Sequence, residues 1–273
     1  MAALLGFVGV SVVTGAIVGW LTHWTARPMP RRATIDLADN ARKLQPVLSS
    51  LAGFAVTSLV LLITFSGNRL DIHAEGTISL IALLVVAYLG FVVGGIMYAH
   101  TEPLVAGDGS DLLAAQHVTA SCQFYRSIVS GWLALGPLVA IVGLDKLTTF
   151  VLALLLLAVL GGWIFHAANL VSLGFAERRF AIVSPLIGLG GAFAFAGVAR
   201  AVPSMHSPDS VLFLVGAGAA MGATAHFVFH AARLVGDGLP PQVTRWLRLI
   251  ASADAHASMV LMAFLWLALA GFI

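Results

Sequence analysis

Long, nearly uninterrupted runs of apolar residues recur along the chain and are separated by short polar stretches. Several of these runs reach the roughly 20 residues that an α-helix needs to cross the hydrocarbon core of a bilayer. Within lipid, every backbone N–H and C=O group must be paired inside the protein, which favours a helical bundle. The pattern predicts an all-α, polytopic integral membrane protein with about eight transmembrane helices, at residues 2–23, 47–66, 77–100, 112–143, 147–172, 182–202, 209–233 and 252–273.

The composition supports this class. Apolar residues make up 60% of the 273 residues and charged residues only 10%, and the mean hydropathy is +1.00. No large soluble domain is indicated. Cys122 is the only cysteine, which excludes an internal disulfide and any multi-cysteine metal or iron–sulfur site.

The distribution of lysine and arginine predicts the orientation, because such residues concentrate in cytoplasmic loops. Of the 14 lysine and arginine residues, ten lie around the loops that follow spans one, five and seven. Three lie in the loops on the opposite side, and Arg126 lies within a span. We therefore expect a cell-membrane protein with both termini on the outer side. The net charge of +2 reflects this bias and does not indicate nucleic-acid binding, so the lipid bilayer is the expected partner.

The sequence contains signs of an internal duplication. The motif Gly-Trp-x-x-His occurs near the end of two spans, at 19–23 and at 162–166, and further matches follow in the same order. These matches are Pro46 with Pro185, His73 with His206, His100 with His230 (followed by LVAGDG and LVGDG), and His117 with His256. Two tandem four-helix repeats, 1–144 and 145–273, are predicted to share one orientation because four is an even number of spans.

Under this topology, six histidines fall in the cytoplasmic leaflet, three in each repeat: His23, His100, His117, His166, His230 and His256. His226 lies one helical turn from His230 on the same face, and His73 and His206 lie on the outer side. Polar groups at membrane depth usually face the bundle interior or a cavity, which favours a shared functional role. The alternative is packing and hydrogen bonding at the membrane interface.

Imidazoles from neighbouring helices can hold a b-type haem or a transition metal such as zinc, copper or iron. A haem needs one histidine on each face of its ring. His100 with His117, and His230 with His256, fit this requirement because each pair comes from consecutive antiparallel helices. Four-plus-four duplication with histidines in both halves also resembles the architecture of haem A synthase, a resemblance of fold that does not carry function with it.

The remaining histidines, His23, His166 and His226, are candidate metal ligands or hydrogen-bond donors near the cofactor. Three histidines with a bound water form a catalytic zinc arrangement, so a zinc centre in each repeat is the alternative. The carboxylates that could orient such ligands are Glu102, Asp108, Asp237 and Asp254, although Asp108 and Asp237 also fit turns between helices. The stretch HFVFH at 226–230 resembles the H-x-x-x-H of the seven-helix membrane hydrolases that include adiponectin receptors and alkaline ceramidases. The early Ser-x-x-x-His of that family is not found in this chain.

Arg126 is the one basic residue inside a predicted span. It lies about 13 Å along the helix from His117, at 1.5 Å per residue. Either span four starts late and residues 112–126 form an interfacial helix, or Arg126 is a buried cation. A buried cation needs an anionic partner, such as a haem propionate, a substrate carboxylate or a lipid phosphate.

The first hypothesis for function is a redox protein with a haem or metal in the cytoplasmic leaflet, exchanging electrons with a quinone or a membrane partner protein. If the chain is an enzyme, these residues indicate a membrane oxidoreductase. The second hypothesis is a transporter or channel for a metal ion or small solute, since duplication is common among transporters. The absence of a clear mid-span charge other than Arg126 weighs against it. A zinc-dependent membrane hydrolase is the third hypothesis.

Overall fold

A computed structural model describes residues 37–66, 75–101, 111–141, 145–173, 178–201, 208–235 and 240–269. Predicted span one, residues 2–23, lies outside the described residues. The described chain is helical and contains no strand, which confirms the predicted all-α class for these residues. Its helices, in chain order, are α1 (Leu37–Ser66), α2 (Glu75–Ala99), α3 (Asp111–Leu133), the short α4 (Leu135–Ile141), α5 (Asp145–Ser172), α6 (Arg178–Ala201), α7 (Pro208–Val235) and α8 (Pro241–Leu269).

Several helices have the length and apolar composition of membrane spans. Five such segments occur among the described residues: Leu37–Thr64, Thr77–Ala99, Leu112–Ile141, Leu147–Ser172 and Leu249–Leu269. Large apolar side chains such as Phe54, Phe150 and Leu157 are exposed on the surface of the bundle, as contact with lipid requires. The chain is therefore a membrane protein, whereas the count of eight spans and the tandem repeat stay predictions.

Two helices extend well beyond the apolar runs that predicted them. Helix α1 begins at Leu37 instead of residue 47, so that Pro46 lies inside the helix. Its polar start is stabilised by an ion pair one turn apart, with Lys43 Nζ 2.6 Å from Asp39 Oδ2. Helix α8 begins at Pro241 instead of residue 252, which makes Asp254 the fourteenth residue of a long helix.

Helix α3 occupies the centre of the bundle. It packs against α2, α5, α7 and α8, and every residue from 112 to 123 is buried. It runs parallel to α8, because Tyr125 contacts Met259 and, one turn later, Ser130 contacts Met262. Helices of the two predicted halves therefore pack directly against each other around α3.

Candidate functional site

The central helix α3 carries a polar stripe. Four of its polar residues recur every three or four positions, which places them on one face of the helix. They are Gln116, Thr119, Gln123 and Arg126, and none is more than 2% exposed. A polar group in a lipid-facing bundle is costly unless it is paired, so the partners of this stripe define a candidate functional site.

A buried ion pair lies at the centre of this site. The Nη1 atom of Arg126 lies 2.8 Å from Oδ1 of Asp254, and the two side chains are only 2% and 11% exposed. Arg126 also donates hydrogen bonds to Ser258 Oγ at 2.6 Å and to Gln123 Oε1 at 2.9 Å. Of the two alternatives for Arg126, the structure supports the buried cation, and its anionic partner is a residue of the chain itself.

Helix α7 covers this ion pair at Gly222. A Cβ atom at position 222 would lie 2.9 Å from Asp254 Oδ1 and closer still to Arg126 Nη2. A side chain at position 222 would displace the ends of these two side chains, so glycine lets α7 approach the pair this closely. Three helices, α3, α7 and α8, meet at the two charges.

Three histidines form a second part of the site, which we call the histidine cluster: His100, just after α2, and His226 and His230 on α7. The rings of His100 and His230 stack with their centroids 4.5 Å apart and their planes at 21°. The rings of His100 and His226 have centroids 6.2 Å apart. His226 is fully buried, whereas His100 and His230 are half-buried.

Hydrogen bonds connect the histidine cluster to the polar stripe. His226 Nδ1 lies 3.1 Å from the carbonyl oxygen of Gln116 and 3.0 Å from Thr119 Oγ1. Arg233 donates to the side-chain oxygen of Gln116 and, at 3.1 Å, to the carbonyl oxygen of His100. The histidine cluster and the ion pair therefore contact the same polar stripe, the cluster at Gln116 and Thr119 and the pair at Gln123 and Arg126. We call the stripe and these partners the polar network of α3.

A second group of polar side chains lies between α3, α5 and α8. Cys122 Sγ is 3.4 Å from His166 Nε2 and also lies beside Asp254 and Ser258. Trp163 contacts the rings of both His166 and His256, with centroids 5.3 and 5.7 Å away. Cys122 thus lies between His166 and the same carboxylate that pairs with Arg126.

His117 faces a different part of the bundle. Its Nε2 atom is 3.2 Å from the side-chain nitrogen of Asn40 on α1, and its ring meets Tyr98 edge to face at 5.6 Å. Tyr98 in turn hydrogen-bonds Ser121 at 3.1 Å. This contact ties the polar start of α1 to the central helix.

The histidines are grouped differently from the pairs that the sequence suggested. His100 stacks on His230 of the other predicted half, whereas His117 and His256 have the separate contacts given above. A metal–nitrogen bond of about 2 Å would put two axial imidazole centres about 6 Å apart across a haem iron. The stacked rings, at 4.5 Å, are too close to flank one haem as they stand.

Two of the predicted metal ligands can be located. His166 lies against Cys122 and His226 lies in the histidine cluster, while His23 lies outside the described residues, as do Glu102, Asp108 and Asp237. Among the residues that the structure describes, no three His, Cys, Asp or Glu side chains surround a ready-made ion position. The metal and haem assignments therefore stay proposals.

Several buried polar atoms of the network and of His117 have no hydrogen-bond partner among the described residues. They include His226 Nε2, the Nδ1 atoms of His100, His117 and His230, Arg126 Nε, Gln116 Nε2 and Asp254 Oδ2. Buried polar atoms are normally paired, and each exception calls for an explanation such as a bound ligand or a functional role.

Comparison with known proteins adds no relative from which function could be carried over. No family model matches the chain, and no curated protein or solved structure is significantly similar to it.

The sequence analysis missed the glutamines and hydroxyls of the network: Gln116, Thr119, Gln123 and Ser258. A signal for the first three was present, since they stand at helical spacing with Arg126 inside an apolar segment. Ser258 could have been found only after Arg126 had been placed against α8.

Proposed function

We propose that this protein is a membrane transport protein that moves protons along the polar network of α3. The observation that carries the proposal is the buried pair of Arg126 and Asp254, which lies within two candidate membrane spans, Leu112–Ile141 and Leu249–Leu269. Ionisable residues inside a membrane bundle commonly mark proton relays and ion pathways, in which acidic residues and histidines form chains.

The length of the network supports this function. From Gln116 to the buried Ser130, the polar positions of α3 span 14 residues, or about 21 Å at 1.5 Å per residue. This is a large part of the about 30 Å thickness of the hydrocarbon core. The histidine cluster lies at one end of this stretch and the ion pair lies farther along it.

The side chains supply the chemistry that proton transfer requires. An imidazole can accept a proton on one nitrogen and release one from the other, and the Asp254 carboxylate can accept a proton and lose its attraction to Arg126. Gln123 and Ser258 hold the guanidinium through this change, because both already accept hydrogen bonds from it. Loss of the proton restores the ion pair.

A purely structural role explains the ion pair less well. Removing two charges from water has a penalty of several kcal/mol per ion, and well-packed apolar residues commonly replace such a pair without loss of stability. Packing alone therefore does not require an arginine and an aspartate here. The lack of a charge inside the spans other than Arg126 was the sequence evidence against a transporter. Asp254 supplies a second such charge.

Proton flux into liposomes tests the proposal. The purified chain is reconstituted with a pH-sensitive dye inside, and a potassium gradient with valinomycin drives protons inward. Liposomes with the wild-type protein are expected to acidify faster than protein-free liposomes, and Asp254→Asn is expected to reduce the rate to the protein-free level. Asp39→Asn, on the exposed start of α1, is the matched control and should behave as wild type. Wild-type protein with no more flux than empty liposomes would overturn the proposal.

A redox protein with a b-type haem or a transition metal, acting on a quinone or a membrane partner, is the second candidate. The unpaired Nδ1 atoms of His100, His117 and His230 favour it, because an unpaired ring nitrogen is what a metal needs. Protein carrying haem would show a Soret band and a reduced α-band, and His100→Ala or His230→Ala would remove them. A colourless preparation without bound metal would contradict this candidate.

A further inference from the structure

We infer that the guanidinium of Arg126 fills a cation site of the protein and thereby makes the polar network of α3 selective for protons over alkali-metal ions such as Na⁺. The selectivity rests on the proposed function, whereas the filled cation site rests on the geometry around Arg126 alone. Arg126 is then the specificity-determining residue of the network, and Gln123 and Ser258 are the residues that position it.

Three oxygen atoms converge on the two ends of the guanidinium. Asp254 Oδ1 and Ser258 Oγ lie 2.8 and 2.6 Å from Nη1, and Gln123 Oε1 lies 2.9 Å from Nη2. Carboxylate, amide and hydroxyl oxygens are the ligands that hard metal cations prefer. The guanidinium therefore occupies the place that a small cation would take among these oxygens if the arginine were absent.

The two neutral oxygens are fixed as acceptors by other contacts. Gln123 Nε2 lies 3.4 Å from the carbonyl oxygen of Gly90 on α2. Because a carbonyl only accepts and a guanidinium only donates, the amide must turn its nitrogen to Gly90 and its oxygen to Arg126. The hydroxyl of Ser258 donates to the carbonyl oxygen of Asp254 at 2.7 Å, which leaves its lone pairs for Arg126. Both acceptors are thus in place whether or not the carboxylate carries a proton.

Close packing keeps the guanidinium among these oxygens. Arg126 is only 1% exposed, and α7 lies so near that a Cβ atom at position 222 would be 3.0 Å from Arg126 Cζ. A metal ion would have to displace the guanidinium or bind beside it, where two positive charges repel each other strongly in a medium of low dielectric constant. The native site therefore disfavours Na⁺.

A proton meets neither obstacle. It forms a covalent bond with a single oxygen atom and needs no surrounding set of ligands. Asp254 Oδ1 is held by Arg126, whereas Oδ2 is buried and has no hydrogen-bond partner among the described residues. A proton can therefore bind Oδ2 while the guanidinium stays in its site, and this difference accounts for the selectivity.

The stability of Arg126→Gln with and without Na⁺ tests the cation site. The variant leaves the oxygens of Asp254, Gln123 and Ser258 without the guanidinium, so Na⁺ is expected to bind among them. Unfolding by denaturant in detergent measures the effect. Raising NaCl to about ten times its dissociation constant should increase the ratio of folded to unfolded variant about tenfold.

Two controls separate binding from ionic strength. N-methyl-D-glucamine chloride at the same concentration supplies the same ionic strength with a cation too large for the site, and it should not stabilise Arg126→Gln in this way. The wild type keeps the guanidinium, and Arg126→Gln/Asp254→Asn lacks the carboxylate, so both should respond equally to the two salts.

Proton flux into liposomes tests the selectivity. Wild-type flux should be the same in NaCl and in N-methyl-D-glucamine chloride. Gln123→Leu removes one of the three oxygens but keeps both charges, so the guanidinium is held less firmly and Na⁺ should compete with protons and lower the flux. Because this variant retains the ion pair, it keeps the inference testable even if Arg126→Gln does not fold.

Either of two results would overturn the inference. One is a wild-type protein that Na⁺ stabilises more than N-methyl-D-glucamine does. The other is an Arg126→Gln variant that responds equally to both salts or, if it does not fold, a Gln123→Leu flux that is indifferent to Na⁺. Stabilisation of Arg126→Gln by Na⁺ without wild-type proton flux would contradict only the proposed function. Wild-type proton flux that Na⁺ lowers would contradict only this inference.

Discussion

The guanidinium of Arg126 lies 2.8 Å from the carboxylate of Asp254, across the interface between α3 and α8. The two residues are 128 positions apart, and their helices occupy equivalent places in the predicted internal repeat. Gln123, Ser258 and Gly222 complete the surroundings of the pair. This contact connects the two predicted halves in the interior of the membrane protein.

The stability of single and double variants should show that the two charges depend on each other. Arg126→Gln alone or Asp254→Asn alone leaves one buried charge without its partner, and each is expected to lower the free energy of unfolding by about 3–5 kcal/mol. The double variant removes both charges and should recover most of this loss. Unfolding of the purified proteins in detergent by denaturant measures these values, and additive losses in the double variant would show that the pair is not coupled.

Gly222→Ala should disturb the ion pair from α7. A Cβ atom at this position meets Arg126 and Asp254, so we expect a loss of about 1–3 kcal/mol, as in overpacked cores, together with reduced proton flux. Gly95→Ala in α2 is the matched control, because a Cβ there meets nothing within 4 Å. In a helix interior this control should be neutral or stabilising by up to about 1 kcal/mol. Equal effects of the two substitutions on flux and stability would show that Gly222 has no special contact.

Cys122 should be inert to thiol reagents in the folded protein. It is fully buried between α3, α5 and α8, beside His166. A maleimide should label it only after denaturation. The control is the double variant Lys43→Cys/Cys122→Ala, whose cysteine replaces a side chain that is 72% exposed and should be labelled at once. Mass spectrometry measures the labelling rates of the two cysteines. Rapid labelling of Cys122 in the native protein would show that it does not lie in the core.

The sequence was sufficient for the helical class and for the general positions of the apolar helices, because these follow from hydropathy alone. It was insufficient for helix starts: the polar first turns of α1 and α8 carry no apolar signal, yet both are helical. For this reason Asp254 was expected at the start of a span, although it lies deep in α8 beside Arg126.

The sequence also did not allow us to predict which histidine side chains contact each other. Short loops indicate which helices are neighbours along the chain, and this led to the pairs His100 with His117 and His230 with His256. The stack of His100 on His230 depends on the packing of α2 against α7, helices that are far apart in sequence. That contact depends on tertiary packing, which hydrophobic periodicity along the chain does not encode.

Proton flux through the double variant Arg126→Gln/Asp254→Asn tests the central claim most directly. This variant is expected to fold with nearly wild-type stability while lacking the only carboxylate that contacts Arg126 in the described part of the chain. The account predicts that liposomes containing it acidify no faster than protein-free liposomes. Wild-type flux in this stably folded variant would show that the ion pair has no part in transport.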